Sequence, residues 1–274
     1  MKKFFTYLLA FAAVTTVISC SKDDGPEEPE PKPDVSRQDF TETVSGVKFD
    51  MVYVKGGTFS MGATEEQGSE DPGEDEYPVH SVTLSDYYIG KCEVTQGLWK
   101  AVMNNDNPSR FKKGDNYPVE NVSWNDIQNF LIELNRLTGK KYALPTEAQW
   151  EYAARGGAKS KSYKYSGSNT VDDVAWYGEN YINGSSHPVG KKQANELGLY
   201  DMSGNVNEWC SDWYGDYSSD SQTDPTGPAT GTYRVSRGGC WYGVADHPRV
   251  GSRGYNYPDF RSDGGIGFRV VLLP

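Results

Sequence analysis

The sequence predicts an α+β fold: one loop-rich domain with few helices and short strands. Two segments, at 124–137 and 146–155, have helical periodicity or helix-start signals, and several short runs alternate or are rich in β-branched residues. The chain also combines 19 Tyr and 7 Trp with 30 Gly and 15 Pro. That mixture is typical of long loops held by large rings and turn residues.

The first 19 residues have the features of a lipoprotein signal peptide. Lys2 and Lys3 form its positive start, and Phe4–Ile18 is mostly apolar but too short for a routine membrane span. The end of the segment, Val17-Ile-Ser-Cys20, resembles a bacterial lipobox, which predicts lipidation of Cys20 and anchoring to the outer membrane. The alternative is a plain secretory signal with an incidental cysteine.

Residues 20–45 are expected to be the lipidated cysteine followed by a disordered acidic tether. Residues 21–34 hold four Pro, six acids and two Lys, so six acids less two lysines give a net charge of −4. Because this run has no aromatic or β-branched residue, it cannot bury apolar surface and stays extended. The Ser21-Lys-Asp-Asp24 run resembles a surface-export signal of Gram-negative lipoproteins. An ordinary solvated linker is the alternative, so the periplasmic and surface faces both stay open.

Charge and cysteine content exclude several functions for the remaining segment, residues 46–274. The net charge of the whole chain, −11, argues against a nucleic-acid partner, and membrane contact is expected only through the lipid. Three cysteines remain, Cys92, Cys210 and Cys240, so at most one disulfide can form among them. Zinc is not expected because no cysteine or histidine pair has ligand spacing.

Four strands are predicted in the first part of the domain from alternation or β-branched enrichment. They are Lys48–Val54, Gly57–Met61, Val82–Tyr88 and Cys92–Thr95. The acidic run from Glu65 to Glu76 does not have the spacing of an EF-hand, and we expect it to be a solvated loop.

The strongest helix signal is Trp124–Leu137, with Ser123 as N-cap and Gly139 as its stop. Its apolar face is formed by Ile127, Phe130, Leu131, Leu134 and Leu137. A second helix starts with the capping-box pattern at Thr146 and ends before Gly156. Residues 158–233 lose helical periodicity, and we expect a long ordered loop there.

Several sequence blocks occur in an order that identifies a family. They are Gly56–Gly62, Glu93–Thr95, Val122–Asp126, Leu144–Arg155, Gly198–Trp209, Arg234–Trp241 and Gly267–Val271. Together they resemble the sulfatase-modifying-factor family, whose founding member is the formylglycine-generating enzyme, over Val47–Leu273. The resemblance implies a variant of the C-type lectin fold for the formylglycine-generating-enzyme-like domain at 46–274.

The resemblance also implies a calcium ion in the loop at 198–209. Its ligands here would be the carboxylates of Asp201 and Glu208 and the carbonyl oxygens of Met202, Gly204 and Val206. A hard cation prefers such an all-oxygen set. The alternative is that the two acids only cap turns.

The catalytic thiols of the family are missing from this sequence. They lie four and nine positions beyond the Gly-Gly turn, where this chain has Gly243 and Pro248. Neither residue forms a thiolate or binds copper, so copper is not expected. Asn207 replaces a tryptophan of the family's oxygen pocket. Cys210 and Cys240 are the candidates for a substitute pair; burial or one disulfide is the alternative.

Six residues are candidates for a binding groove: Trp241, Tyr242, Arg249, Arg253, Tyr255 and Tyr257. The rings suit stacking on a sugar or peptide, and the arginines suit an extended peptide or acidic group. The alternatives are core packing for the rings and ion pairing with Glu151 or Asp212 for the arginines.

The sequence therefore favours a non-catalytic cell-envelope lipoprotein that binds a glycan, a peptide or an outer-membrane partner. One alternative is a formylglycine-generating oxidase acting on a sulfatase cysteine. A purely structural, calcium-stabilised spacer is the other.

Overall fold

The computed structural model of the chain describes Met1 and residues 37–67, 73–179 and 181–273. The predicted signal peptide, Cys20, residues 21–36 of the tether and part of the acidic run lie outside the described residues. In the part that is described, no helix has the length and apolarity needed to cross a membrane.

Short strands and few helices alternate with long loops throughout the described residues. The strands are β1 Phe40–Val44, β2 Val47–Val54, β3 Gly57–Met61, β4 His80–Leu84, β5 Tyr87–Gly90, β6 Tyr142–Ala143, β7 Asn207–Trp213, β8 Gln222–Thr223, β9 Arg234–Arg237, β10 Arg253–Asn256, β11 Ile266–Gly267 and β12 Val271–Leu272. The helices are α1 Gln96–Val102, α2 Trp124–Thr138, α3 Glu147–Ala154 and α4 Val171–Val174. This confirms the predicted loop-rich α+β class.

The strands form three small sheets. A five-stranded sheet has the order β1-β2-β5-β12-β6, and a three-stranded sheet has the order β3-β4-β8. The four-stranded sheet, β10-β9-β7-β11, carries the candidate site, and β10 is one of its edge strands. In this sheet β9 pairs antiparallel with both β7 and β10, whereas β11 runs parallel to β7.

Helix α2 begins and ends where its capping residues predict. The Ser123 hydroxyl accepts a hydrogen bond from the Asp126 N–H at 3.0 Å, and the Asp126 carboxylate accepts one from the Ser123 N–H at 2.9 Å. Gly139 ends the helix in the left-handed region, with φ of 70°. The predicted apolar face is buried except for Leu137, which is exposed because it lies in the last turn.

Helix α3 is confirmed and lies entirely in the interior. The Thr146 hydroxyl accepts from the Gln149 N–H at 3.1 Å, and the Gln149 side chain accepts from the Thr146 N–H at 3.0 Å. All eight helical residues are buried, including the carboxylates of Glu147 and Glu151. Such a helix needs internal partners for its charged groups, and arginines from β9 and β10 supply them.

Four local predictions were wrong. Residues 40–44 were expected to belong to the disordered tether, but they form β1, which pairs antiparallel with β2. The predicted strand Val82–Tyr88 is two strands in different sheets, because the chain turns at Asp86, whose carboxylate accepts from the Gly56 N–H at 2.9 Å. Cys92–Thr95 is irregular apart from an isolated bridge at Thr95. The expected loop at 158–233 contains α4, β7 and β8, and β7 escaped detection because its buried Glu208 and Asp212 resemble surface residues in the sequence.

Candidate functional site

A cleft of about 220 Å³ opens beside the Gly238-Gly239 turn, where the resemblance places the chemistry of the family. Gly239 has a φ of +73°, and its N–H donates to the Asn207 side-chain oxygen at 3.1 Å. A Cβ at Gly239 would lie 2.9 Å from the His247 carbonyl carbon and from the Pro248 nitrogen. Only glycine therefore fits this turn without moving the loop that carries both residues.

The positions of the two missing thiols are part of the packing around this cleft. Gly243 is buried, and a Cβ there would lie 3.0 Å from Nδ1 of His247 and 3.2 Å from the Cys240 carbonyl oxygen. Pro248 is also buried, and its carbonyl oxygen accepts from the Ser203 hydroxyl at 2.7 Å. A thiol side chain at position 243 would therefore require a small shift of His247.

The three cysteines of the domain are free thiols, so no disulfide forms among them. Cys210 and Cys240 are buried, and burial raises the pKa of both thiols. Burial, followed by the charge of Asp201, raises the pKa of Cys92 to about 12. All three are protonated at neutral pH and are poor nucleophiles.

Three of the six groove candidates belong to the interior. Trp241 is fully buried, and its indole N–H donates to the Gly264 carbonyl at 2.7 Å. Arg249 donates to both carboxylate oxygens of Glu76 at 2.8 and 2.6 Å. Arg253 donates to both carboxylate oxygens of Glu147 at 2.7 and 2.8 Å.

For these three residues the structure favours the packing and ion-pairing alternative over exposure in a groove. The prediction that the two arginines pair with Glu151 or Asp212 was wrong. Arg249 pairs with Glu76, and Arg253 pairs with Glu147. The expectation of a wholly solvated acidic run was wrong too, because Glu76 is a buried partner of Arg249.

The other candidates lie at the surface. Tyr242 is partly buried against Trp241, with ring centroids 4.8 Å apart. Tyr255 and Tyr257 are 50% and 52% exposed. Tyr233 contacts both of them, at centroid distances of 5.1 and 4.6 Å, and Tyr214 lies 4.3 Å from Tyr255. We call these four residues, 214, 233, 255 and 257, the tyrosine patch; Tyr255 belongs both to the patch and to the wall of the cleft.

The predicted calcium loop contains an unsatisfied carboxylate oxygen. Asp201 is buried; its Oδ2 accepts from the Gly190 N–H at 2.7 Å, and its Oδ1 has no partner among the described residues. Within that same part of the chain, no hydrogen bond ends on the carbonyl oxygens of Met202, Gly204 or Val206. Oxygens that are buried and free of hydrogen bonds suit a hard cation.

Glu208 differs from the other predicted ligands because both of its oxygens have partners. Arg269 donates to Oε2 and Oε1 at 2.6 Å each, and the Trp150 indole N–H donates to Oε2 at 2.8 Å. Burial, with the charges of Asp201 and Glu208 next, raises the pKa of Glu93 well above its ordinary value. Three carboxyl groups thus share one guanidinium, which leaves the cluster short of positive charge.

Sequence reasoning missed Glu93 and Arg269 as parts of this cluster. Arg269 lies within the Gly267–Val271 block, but no sequence pattern indicates that it pairs with Glu208, which lies 61 positions earlier in the chain. Among the described residues, no three His, Cys, Asp or Glu side chains are arranged to hold a metal ion, so any calcium site here would depend on backbone carbonyls.

Comparisons with known proteins agree on one family. The profile of the sulfatase-modifying factor enzyme 1-like domain matches residues 37–273. The chain is 34% identical to the chaperone protein LppX of Paenibacillus barcinonensis, over 97% of this chain and 96% of that protein. It is 31% identical to the formylglycine-generating enzyme of Streptomyces coelicolor, over 80% of this chain and 88% of the enzyme.

Solved structures with the same architecture include Treponema denticola variable protein 1. It is 35% identical and superposes with a TM-score of 0.77 over 86% of this chain and 99% of that one. PvdO from Pseudomonas aeruginosa is 27% identical, with a TM-score of 0.70 over 82% of this chain and 94% of that one.

Proposed function

The chain belongs to the sulfatase-modifying factor enzyme 1-like family, and from this premise we propose that it is a binding protein of the cell envelope. Its ligand is an extended polypeptide segment, bound along the cleft and the tyrosine patch without chemistry. The observation that carries the proposal lies beside the cleft: Gly243 and Pro248 stand where the enzyme of the family has thiols. The chain has the domain of the family but not the two thiols used for oxidation.

Strand β10 gives a physical reason to choose a polypeptide over a glycan. It lies at the edge of its sheet, and an edge strand presents backbone groups that an extended peptide can pair with. Tyr255 lies in the middle of this strand and Tyr257 directly follows it, so their rings flank the same edge. The relative named as a chaperone points in the same direction, because a chaperone binds protein.

The alternative function, oxidation of a sulfatase cysteine, needs a reactive thiol beside the cleft. Cys210 and Cys240 are buried, and burial raises their pKa, which keeps both in the unreactive protonated form. The exposed rings and the absence of thiols at positions 243 and 248 both favour binding over catalysis.

The sequence of the N-terminal segment supports a location in the cell envelope. We propose that Cys20 carries a lipid that holds the protein on the outer membrane, with residues 21–34 as a spacer. A spacer of this acidic, proline-rich composition would give the domain the reach to contact a partner in a membrane complex. The partner is therefore another protein of the outer membrane or the cell surface.

Removing the tyrosine rings tests the binding surface. We expect the double variant Tyr255→Ala with Tyr257→Ala to weaken binding about tenfold, because each stacked ring contributes about 0.5–1.5 kcal/mol. The probe is a set of random-sequence peptides displayed on phage, selected on the wild-type protein and measured by calorimetry. Ile132→Ala, which truncates a side chain exposed on α2, is the control and should bind like wild type. Equal affinity of the double variant and the control would place the binding surface elsewhere.

We also propose a calcium ion in the loop at 198–209, held by Asp201 and by the carbonyl oxygens of Met202, Gly204 and Val206. Glu208 would act mainly through its charge, because Arg269 and Trp150 already bind its oxygens. The ion would stabilise this loop by giving its free oxygens a partner and by balancing the carboxylates of Glu93, Asp201 and Glu208.

Calcium removal then has a measurable effect on stability. We expect a chelator to lower the melting temperature by about 5 °C or more, since a ligand at 100 times its dissociation constant contributes about 2.7 kcal/mol. Differential scanning calorimetry with and without calcium measures this, and Asp201→Ala should remove the response to calcium. A wild-type melting temperature that is the same with chelator and with calcium contradicts the proposal.

A further inference from the structure

A second pocket, of about 480 Å³, lies at the N-terminus of α3 and is separate from the proposed peptide site. Its wall is formed by the end of β7, the loop that follows it through 215–228, and His80 at the start of β4. Arg253 borders both this pocket and the cleft, but the exposed rings of Tyr255 and Tyr257 do not line the pocket. Nothing proposed above uses this space.

The pocket contains a carboxyl group that is nearly buried and only half satisfied. Asp212 is 4% exposed. Its Oδ2 accepts from the Glu147 N–H at 3.0 Å and from the Ser211 hydroxyl at 2.9 Å. In the described chain no hydrogen bond reaches its Oδ1. A Cβ at Gly227 would lie 3.2 Å from that oxygen, so the glycine keeps the space beside Oδ1 open.

Two arginines lie near this carboxylate, but among the described residues each is held by other groups. Arg253 is engaged by Glu147, by the Asp75 carbonyl and by the Gly215 carbonyl. Arg234 lies between two tryptophan rings and donates to the Ser211 carbonyl at 2.6 Å. Across the described residues, no lysine or arginine forms an ion pair with Asp212, whereas Glu147 has both Arg253 and Arg237.

His80 adds a second acceptor to the pocket. Its Nδ1 lies 3.0 Å from the Pro78 carbonyl oxygen, which can only accept, so Nδ1 carries the proton in the neutral ring. Nε2 is then an acceptor. The Tyr217 ring packs against the imidazole at a centroid distance of 4.7 Å, and its hydroxyl donates to Glu147 at 3.3 Å. The remaining polar atoms of this pocket, Asp212 Oδ1 and His80 Nε2, are both acceptors. They therefore favour a ligand that has hydrogen-bond donors and a positive charge.

We propose that this pocket binds a primary alkylammonium group, which contacts Asp212 Oδ1 and His80 Nε2. An ammonium is compact, carries three N–H donors and supplies the missing positive charge. The same group occurs on a free small amine and on a lysine side chain of a partner protein. The volume of the pocket accommodates the alkyl chain of either one.

The binding test compares two amines with a neutral isostere. Isothermal titration calorimetry at pH 8 uses n-butylammonium, Nα-acetyl-lysine amide and n-butanol, the neutral isostere of n-butylammonium, with the full-length protein. We expect both amines to bind and n-butanol to bind at least about tenfold more weakly. Tighter binding of the lysine derivative identifies a protein source, and tighter binding of n-butylammonium identifies a free amine.

Asp212→Asn tests the assigned carboxylate. The asparagine side chain keeps an oxygen that can accept from the Glu147 N–H, but it loses the charge. We expect this variant to bind the amines at least about tenfold more weakly. Asp106→Asn, an exposed acid away from the pocket, is the matched control and should bind like wild type. If n-butanol binds as well as the amines, or Asp212→Asn binds like wild type, the proposal is overturned.

A measurement on the wild-type protein covers the case in which Asp212→Asn fails to fold. Burial, with the charge of Glu147 next, raises the pKa of Asp212 to about 7. The charged or titratable groups around the pocket are Glu147, Arg253, Arg234, His80, Asp216 and Tyr217. A bound ammonium must lower the pKa of Asp212, which carboxyl ¹³C NMR follows with and without n-butylammonium. An unchanged pKa at saturating amine also overturns the proposal.

Discussion

Replacing Arg269 by methionine is expected to lower the free energy of unfolding by about 3–5 kcal/mol. The change leaves Glu208 buried without its cation, and both side chains of this pair are fully inaccessible to water. Arg269 also donates to the carbonyl oxygens of Gly90 and Tyr200, so its loss leaves two further acceptors unpaired. Methionine fills much of the volume, so the effect measures lost charge and hydrogen bonds rather than an empty cavity.

Urea denaturation in calcium-containing buffer, followed by tryptophan fluorescence, measures this change. The control is Arg136→Met, which removes an exposed i, i+3 partner of Glu133 on α2 and should cost less than about 0.5 kcal/mol. Similar unfolding curves for the two variants would mean that the Arg269–Glu208 pair does not stabilise the interior.

The second large effect is expected for Glu151→Gln in α3, again about 3–5 kcal/mol. Glu151 is fully buried; it pairs with Arg237 and accepts from Arg155 at 2.8 Å and from the Gly62 N–H at 2.9 Å. Glutamine has nearly the same shape, but it is neutral and offers only one acceptor oxygen. Arg237 is also fully buried and keeps its positive charge, but it loses one of the carboxylates that compensate this charge.

Glu133→Gln is the matched control, because it makes the same change in an exposed ion pair. Thermal and urea unfolding of both variants measure the difference. The double variant Glu151→Gln with Arg237→Met should lose less stability than the sum of the two single changes, since it removes both charges. Simple additivity would contradict an ion pair between Glu151 and Arg237.

Features that depend on neighbouring residues were predictable from the sequence. The caps of α2 and α3 are short patterns, Ser123 with Asp126 and Thr146 with Gln149, and the structure forms both capping boxes. The family blocks indicated the overall fold, whereas local periodicity did not indicate α1.

Features that depend on distant residues were not predictable. Glu76 and Glu208 resemble surface acids in the sequence, yet they are buried partners of arginines 173 and 61 positions away. No local pattern encodes such a pairing. The same limit explains Trp241, Arg249 and Arg253, because their burial depends on partners far along the chain.

The central claim is that the edge formed by β10 and the tyrosine patch binds a protein partner. A photo-crosslinking amino acid at position 255 in native cells tests it most directly, with position 132 on α2 as the control site. The account predicts that illumination joins position 255 to one defined outer-membrane or surface protein, and that position 132 gives no such product. The same products from both positions, or none from position 255, would contradict it.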